Sequence, residues 1–104
     1  MVTLNRIYTR TGDKGSTRLA KVGPVSKAVL RVGAYGAGLR SHACVGLSRL
    51  HTGADKVLDP ILSRIQNDLF DLGADLATPD KGKELGWEPL RIVESQVEVL
   101  IGEV

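Results

Sequence analysis

The chain of 104 residues has room for one domain of ordinary size, which excludes a two-domain enzyme within it. Its 42% hydrophobic and 25% charged residues exclude an intrinsically disordered chain. The net charge of +2 is unevenly divided, because residues 1–50 carry nine Lys or Arg and one acid, whereas residues 51–104 carry five basic and eleven acidic residues. This asymmetry predicts either an anion site in the first half or electrostatic pairing between the halves.

The composition also bears on the cellular setting and the partners. The single cysteine, Cys44, excludes an intrachain disulfide, and no stretch has the pattern of a signal peptide or an 18-residue apolar span. We therefore expect a cytoplasmic protein with no membrane partner, in which Cys44 is a small core residue. Aromatic residues make up 4% of the chain, too few for base stacking, so no nucleic-acid partner is expected. His42 and His51 lack partners at ligand spacing, so the residues themselves predict no metal site.

The first segment, residues 1–26, is rich in Gly and Thr. Residues 4–9 are compatible with a short β-strand, and residues 9–17 contain two glycines three positions apart, which predicts irregular structure. A helix is predicted next at residues 26–50, with Ser26 as its N-cap, although each of its interior glycines costs about 1 kcal/mol relative to Ala.

Two further helices are predicted in the second half. Residues 55–77 carry apolar residues at steps of three and four, with Pro60 in the first turns, where its missing N–H is tolerated. A polar connection at residues 78–87 leads to a helix that begins near Glu88 and Pro89 and runs to the end of the chain. The predicted fold class is therefore an all-α helical bundle preceded by an irregular glycine-rich loop. Phe70 and Tyr35 are expected in its core and Trp87 at its end.

The segment 9–17 is where the sequence carries local chemistry. Glycines let successive backbone N–H groups converge, while Arg10 and Lys14 add positive charge and the Thr and Ser hydroxyls add donors. This composition is typical both of an anion nest for phosphates and of an ordinary surface turn. Elsewhere, Asp68, Asp71 and Asp75 form a stripe on the second helix that is either a solvated face or a contact for Mg²⁺ or a corrinoid ring.

Two stretches, residues 6–17 (RIYTRTGDKGST) and 65–79 (IQNDLFDLGADLATP), together with Lys27, Arg31 and Tyr35, resemble the N-terminal part of PduO-type ATP:cob(I)alamin adenosyltransferases. The resemblance implies a five-helix bundle that assembles as a homotrimer. It also implies transfer of the 5′-deoxyadenosyl group of ATP, bound with Mg²⁺, to the cobalt of cob(I)alamin, with release of triphosphate. No protein nucleophile is required, so no catalytic residue is assigned. The implied ATP-binding residues are Thr9, Arg10, Thr11, Gly12, Asp13, Lys14, Gly15, Ser16, Thr17 and Lys27.

The chain departs from the family pattern at two points. Leu39 and Arg40 stand where the family has an Asp-Glu pair, whose aspartate contacts a neighbouring subunit. The family's later arginine-rich helix and Asn-Arg-Leu-Ser-Asp segment follow the matched region. We therefore expect residues 1–104 to form a single, incomplete domain with about three of the five helices. Alone, they are expected to bind MgATP weakly and to convert little cob(I)alamin. The alternative is a non-catalytic helical module that binds ATP or associates with full-length subunits.

Overall fold

The computed structural model describes residues 3–20, 22–80 and 88–103. In chain order the elements are β1 (Ser16–Arg18), β2 (Pro24–Ser26), α1 (Leu30–Arg49), α2 (Leu58–Leu76) and α3 (Glu94–Glu103). The described part is thus a set of three helices with one small hairpin, which confirms the all-α class. Within these ranges no helix is long and apolar enough to cross a membrane.

The hairpin replaces the predicted strand. β1 and β2 pair antiparallel, with Thr17 opposite Val25. Residues 4–9 form no strand, so that expectation is wrong. A strand requires a hydrogen-bonding neighbour, and residues 16–18 find one in residues 24–26 across a short connection. Regular structure therefore begins inside the segment that was expected to be a loop.

Helix α1 begins later than predicted. Ser26 belongs to β2, and its hydroxyl accepts the Ala28 N–H at 3.1 Å, so the assignment of Ser26 as N-cap is wrong. The cap position is Val29, which is extended and makes no side-chain cap bond. The glycines do not interrupt the helix. One of them has a packing role, because a Cβ on Gly46 would lie 3.1 Å from Nε2 of Gln66 on α2.

Helix α2 begins at Leu58, three residues after the predicted start, and Pro60 lies in its first turn as expected. The carboxylate of Asp55 accepts the N–H groups of Val57 and Leu58 at 2.9 and 2.8 Å, which supplies acceptors at the helix start. These bonds lower the pKa of Asp55, the bond from Leu58 most strongly. The predicted start at residue 55 therefore lies just before the helix, whose cap position is Val57, and Asp55 supplies acceptors to the chain that enters it.

Helix α3 begins at Glu94, so the predicted start near Glu88 and Pro89 is wrong. The intervening chain is engaged elsewhere, since the Ile92 N–H donates to Oδ2 of Asp75 at 2.8 Å. The helix then starts with half of a capping box, because the Gln96 side chain accepts the Val93 N–H at 3.0 Å. The expectation for Trp87 concerns residues 81–87, which lie outside the described ranges.

Few side chains of the described residues are buried. Leu19, at 7% exposure, is the buried apolar residue, and Pro79 is also buried. Phe70 is 63% exposed and Cys44 is exposed, so both predictions of core positions are wrong, whereas Tyr35 is half-buried. The helices pair along α1 and α2 but leave large apolar side chains on the surface because three helices cannot enclose all of their apolar faces.

Candidate functional site

A cavity of about 630 Å³ opens between the N-terminal loop and the hairpin. Its walls combine backbone, hydroxyl groups and two cationic side chains. The lining residues are Thr11, Gly12, Ser16, Thr17, Arg18, Pro24 and Lys27.

The loop is shaped by two successive turns. The Asp13 N–H donates to the Arg10 carbonyl at 3.3 Å, and the Gly15 N–H donates to the Gly12 carbonyl at 3.1 Å. Gly15 has a φ of 93°, a left-handed conformation that glycine adopts without steric cost. Its carbonyl then accepts the Lys27 N–H at 2.9 Å, which ties the end of the loop to the residue after β2.

Gly12 is required by the close approach of Lys27. A Cβ at position 12 would lie 3.1 Å from Nζ of Lys27 and 2.9 Å from the carbonyl oxygen of Ser16. The ammonium group therefore lies directly over the turn. A larger residue at position 12 would push the ammonium away from the cavity or distort the entry to β1.

The cavity suits an oxyanion. Its lining contains Arg18 and Lys27 and no acidic residue, while Thr11, Ser16 and Thr17 carry hydroxyl donors. Charge-assisted hydrogen bonds from such groups are the strong ones for phosphate oxygens. Two of the nine basic residues in the first half of the chain, Arg18 and Lys27, therefore lie together at this cavity.

The predicted ATP-binding residues divide into two groups. Thr11, Gly12, Ser16, Thr17 and Lys27 line the cavity.

The other five are outside the lining, and their role in binding stays a prediction. The Thr9 and Thr11 hydroxyls lie 3.0 Å apart, and the Arg10 guanidinium lies 5.0 Å from the centre of the Tyr8 ring. Asp13 and Lys14 are exposed, and Gly15 contributes the carbonyl bond described above.

Sequence reasoning missed Arg18. It is the last residue of β1 and directly follows Ser16 and Thr17, which also line the cavity. The irregular segment predicted at residues 9–17 ended just before Arg18, whereas β1 continues through it.

The acidic stripe on α2 connects that helix to the chain around α3. Gln96 donates through Nε2 to Asp68 at 2.9 Å and to Asp71 at 3.2 Å. Asp75 accepts the Ile92 N–H at 2.8 Å and Nη1 of Arg91 at 2.8 Å. The Ile92 bond first, and the Arg91 bond after it, lower the pKa of Asp75 despite its partial burial. The stripe therefore has structural partners rather than a fully solvated face.

A second polar cluster lies at the other end of α2. Arg49 of α1 donates to both oxygens of Asp59, at 3.1 and 3.3 Å, and to Oε1 of Gln66 at 2.9 Å. The Thr52 hydroxyl also donates to Asp59, at 2.9 Å. The bond from Arg49, followed by that from Thr52, lowers the pKa of Asp59, and the same pairing raises the pKa of Arg49. This cluster joins the two helices.

The fold and site together define a helical protein with a basic, hydroxyl-lined cavity at its N-terminal hairpin. A family model described as cobalamin adenosyltransferase matches residues 7–104. The corrinoid adenosyltransferase of Mycobacterium tuberculosis (strain H37Rv) is 42% identical over 103 residues, covering 97% of this chain and 52% of the relative. That of Bacillus subtilis (strain 168) is 33% identical over 103 residues, covering 94% of this chain and 53% of the relative. The chain belongs to the cobalamin adenosyltransferase family.

The solved structures agree with this assignment. A variant PduO-type ATP:corrinoid adenosyltransferase from Lactobacillus reuteri, complexed with cobalamin and ATP, superposes with a TM-score of 0.76 at 35% identity, covering 94% of this chain and 53% of that one. The resemblance inferred from residues 6–17 and 65–79 is thereby confirmed. The chain spans about half the length of the curated relatives that it matches.

Proposed function

We propose that this chain is the nucleotide-binding part of a corrinoid adenosyltransferase, acting as a single, incomplete domain in the cytoplasm. Its substrates are ATP and cob(I)alamin, and its products are adenosylcobalamin and triphosphate. The cavity at the hairpin is the observation that carries the proposal, because its basic, hydroxyl-lined wall matches a triphosphate. ATP and cobalamin in the complex of the related L. reuteri enzyme support the same substrates.

In this reaction the nucleophile is the reduced cobalt of the substrate. A bond forms between cobalt and C5′ of ATP with the electron pair of Co(I), while the bond between C5′ and the triphosphate oxygen breaks. The protein's task is to orient the nucleotide and to stabilise the charge of the leaving triphosphate. Lys27 and Arg18 supply positive charge for that purpose, and Ser16, Thr17 and Thr11 supply hydrogen bonds.

Mg²⁺ fits the site as a companion of the nucleotide. Among the described residues, no group of three or more His, Cys, Asp or Glu is placed to hold a metal ion on its own. Mg²⁺ is commonly bound by substrate phosphates, waters and one or two protein oxygens. The hydroxyls of Thr11, Ser16 and Thr17 are the side-chain oxygens of the cavity lining, and Asp13 adds an exposed carboxylate in the same loop. The ion would offset the charge of the phosphates.

The proposed assembly is a homotrimer of complete subunits. Seventeen large apolar side chains of the described residues are exposed, including Leu30 at 92% and Leu50 at 77%. Apolar helix faces left exposed in this number are surfaces that further helices or other subunits can cover. The same surface supports the alternative function, a non-catalytic module that binds ATP or associates with full-length subunits.

An assay of adenosylcobalamin formation separates the two functions. The chain would be incubated with MgATP and chemically reduced cobalamin, and product would be followed by absorbance, with triphosphate release measured in parallel. A second reaction would add a polypeptide covering the half of the M. tuberculosis relative that this chain does not match. We expect low turnover by the chain alone and at least a tenfold increase on addition of the second half.

The possible outcomes distinguish the proposed enzyme from the non-catalytic module. Binding of MgATP without turnover in either reaction would favour the non-catalytic module. Failure to bind MgATP in both would contradict the proposed function altogether. The added half alone is the matched control, and it must give no turnover for the increase to count.

A further inference from the structure

The cavity-bearing segment is attached to the helices at the C-terminal end of α2. The last carbonyl groups of a helix have no partner within it and must be satisfied from outside. Two consecutive carbonyl groups at the end of α2 accept hydrogen bonds from the cavity-bearing segment and the start of α1. The Ala77 carbonyl accepts the Ala20 N–H at 2.8 Å, and the Leu76 carbonyl accepts Nη1 of Arg31 at 3.0 Å.

One attachment lies within the hairpin and the other lies just after it. Ala20 belongs to the connection between β1 and β2, and Arg31 lies in the first turn of α1, four residues after Lys27. The pairing of β1 with β2 holds the strand that precedes Ala20 against the strand that precedes Lys27. The position of Lys27 relative to α2 therefore depends on both bonds, and Arg31 is the side chain nearest in sequence to Lys27 that fixes it to the bundle.

The end of α2 is itself firmly held. From the opposite side, Nη1 of Arg91 donates to the carbonyls of Asp75 and Thr78 at 3.1 and 2.6 Å. The two buried residues noted above, Leu19 and Pro79, are adjacent in sequence to Ala20 and Thr78. The two buried residues of the described chain therefore stand next in sequence to residues of the attachment point, whose neighbouring carbonyls Arg91 also binds.

We propose that Arg31 is a positioning residue for the phosphate cavity, holding Lys27 and the hairpin on the end of α2 through the Leu76 carbonyl. Arg31 does not line the cavity, so it acts through Lys27 rather than on the ligand. Its cationic group is favoured at this location because the C-terminal end of a helix carries partial negative charge. This proposal rests on the proposed function in one respect, namely that the ligand of the cavity is a polyphosphate.

The test compares three variants of the whole chain. Arg31→Met removes the charged donor and keeps the aliphatic stem, while Arg31→Lys keeps a donor able to reach one carbonyl. The matched control is Arg64→Met, because Arg64 joins α2 to Glu103 of α3 at 2.6 Å, and among the described residues no hydrogen bond or ion pair joins it to the hairpin. Inorganic triphosphate is the probe, and its affinity is measured by calorimetry. Hydrogen exchange of the Ala20 and Lys27 amides is measured without ligand.

For Arg31→Met we expect about fivefold weaker triphosphate binding and about tenfold faster exchange at both amides. Arg31→Lys should remain within about twofold of the wild-type chain in both measurements, and Arg64→Met should change neither. Unchanged exchange in Arg31→Met would overturn the proposal, and combined with weaker binding it would indicate that Arg31 contacts the phosphate directly. Faster exchange in a chain whose wild type fails to bind triphosphate would support positioning while contradicting the proposed function.

Discussion

The two ends of α2 use the same chemistry for different purposes. At the N-terminal end, Asp59 pairs with Arg49 in a cluster that links α1 to α2. At the C-terminal end, Asp75 pairs with Arg91, and the adjoining carbonyls also accept Ala20 and Arg31. Each end has one arginine–aspartate pair, but among the described residues only the C-terminal end is bonded to the segment that forms the cavity.

The effect of losing an ion pair therefore depends on what else is bonded to the same end of the helix. Loss of the Asp59 cluster loosens one helix against another. Loss of the Asp75 cluster also releases the support of the hairpin, whose Lys27 faces the cavity. A substitution at the N-terminal end of α2 should therefore lower stability alone. The equivalent substitution at the C-terminal end should lower both stability and triphosphate affinity.

The largest effect is expected for Asp75→Ala. Its carboxylate accepts both the Ile92 N–H and the Arg91 guanidinium, so removal should cost about 1–2 kcal/mol of unfolding free energy. Triphosphate binding should weaken as well, because the end of α2 is loosened. Urea unfolding followed by circular dichroism measures the first effect and calorimetry the second.

Asp59→Ala is the matched substitution at the other end. It should lower the urea midpoint while triphosphate affinity stays at the wild-type value, since the structure, where it describes the chain, joins its partners Arg49 and Thr52 to α2 and not to the hairpin. Equal losses of affinity in Asp59→Ala and Asp75→Ala would remove the distinction between the two ends.

A smaller, purely local effect is expected for Gly12→Ala. The added Cβ would stand 2.9 Å from the Ser16 carbonyl oxygen and displace the Lys27 ammonium. We expect about tenfold weaker triphosphate binding, equivalent to about 1.4 kcal/mol. The control is Gly33→Ala, because Gly33 lies in α1 with open space around its Cα and alanine favours a helix. That control should bind normally and be slightly more stable.

The smallest effect is expected on mild acidification. The pKa values of Asp55, Asp59 and Asp75 are lowered by their native hydrogen bonds. Each group therefore contributes stability that is complete above its unfolded pKa, about 4, and is lost as the pH falls through the lower folded value. The urea midpoint should be nearly constant from about pH 7 to pH 5 and should fall below about pH 4. A midpoint that rises on acidification would contradict these assignments.

Much of the fold could be predicted from sequence because helix periodicity is local. The apolar steps of α2 and the position of Pro60 predicted that helix to within three residues at its start. The start of α3 could not be predicted, because Asp75, 19 residues earlier than Glu94, bonds the intervening chain. The exposure of Phe70 was equally unpredictable, since periodicity identifies an apolar face without showing what covers it.

The site was predictable in composition but not in arrangement. The residue types of the loop and the resemblance pointed to an anion site, and five of the ten predicted residues line the cavity. The contact of Lys27 with Gly12 and the addition of Arg18 depend on the pairing of β1 with β2, which joins residues six to ten positions apart. The pairing of two strands depends on contacts between residues that are separated in the sequence, so the spacing of residues within one segment does not predict it.

The most direct test of the central claim is calorimetric titration of the chain and two lysine variants with MgATP and with inorganic triphosphate. Lys27→Met removes the ammonium over the loop, whereas Lys56→Met removes an exposed lysine in the connection between α1 and α2. The account predicts that, for each ligand, Lys56→Met has the same affinity as the wild-type chain. Lys27→Met should bind each ligand at least tenfold more weakly than the wild-type chain. Equal affinity in all three chains would contradict the assignment of this cavity as the phosphate site.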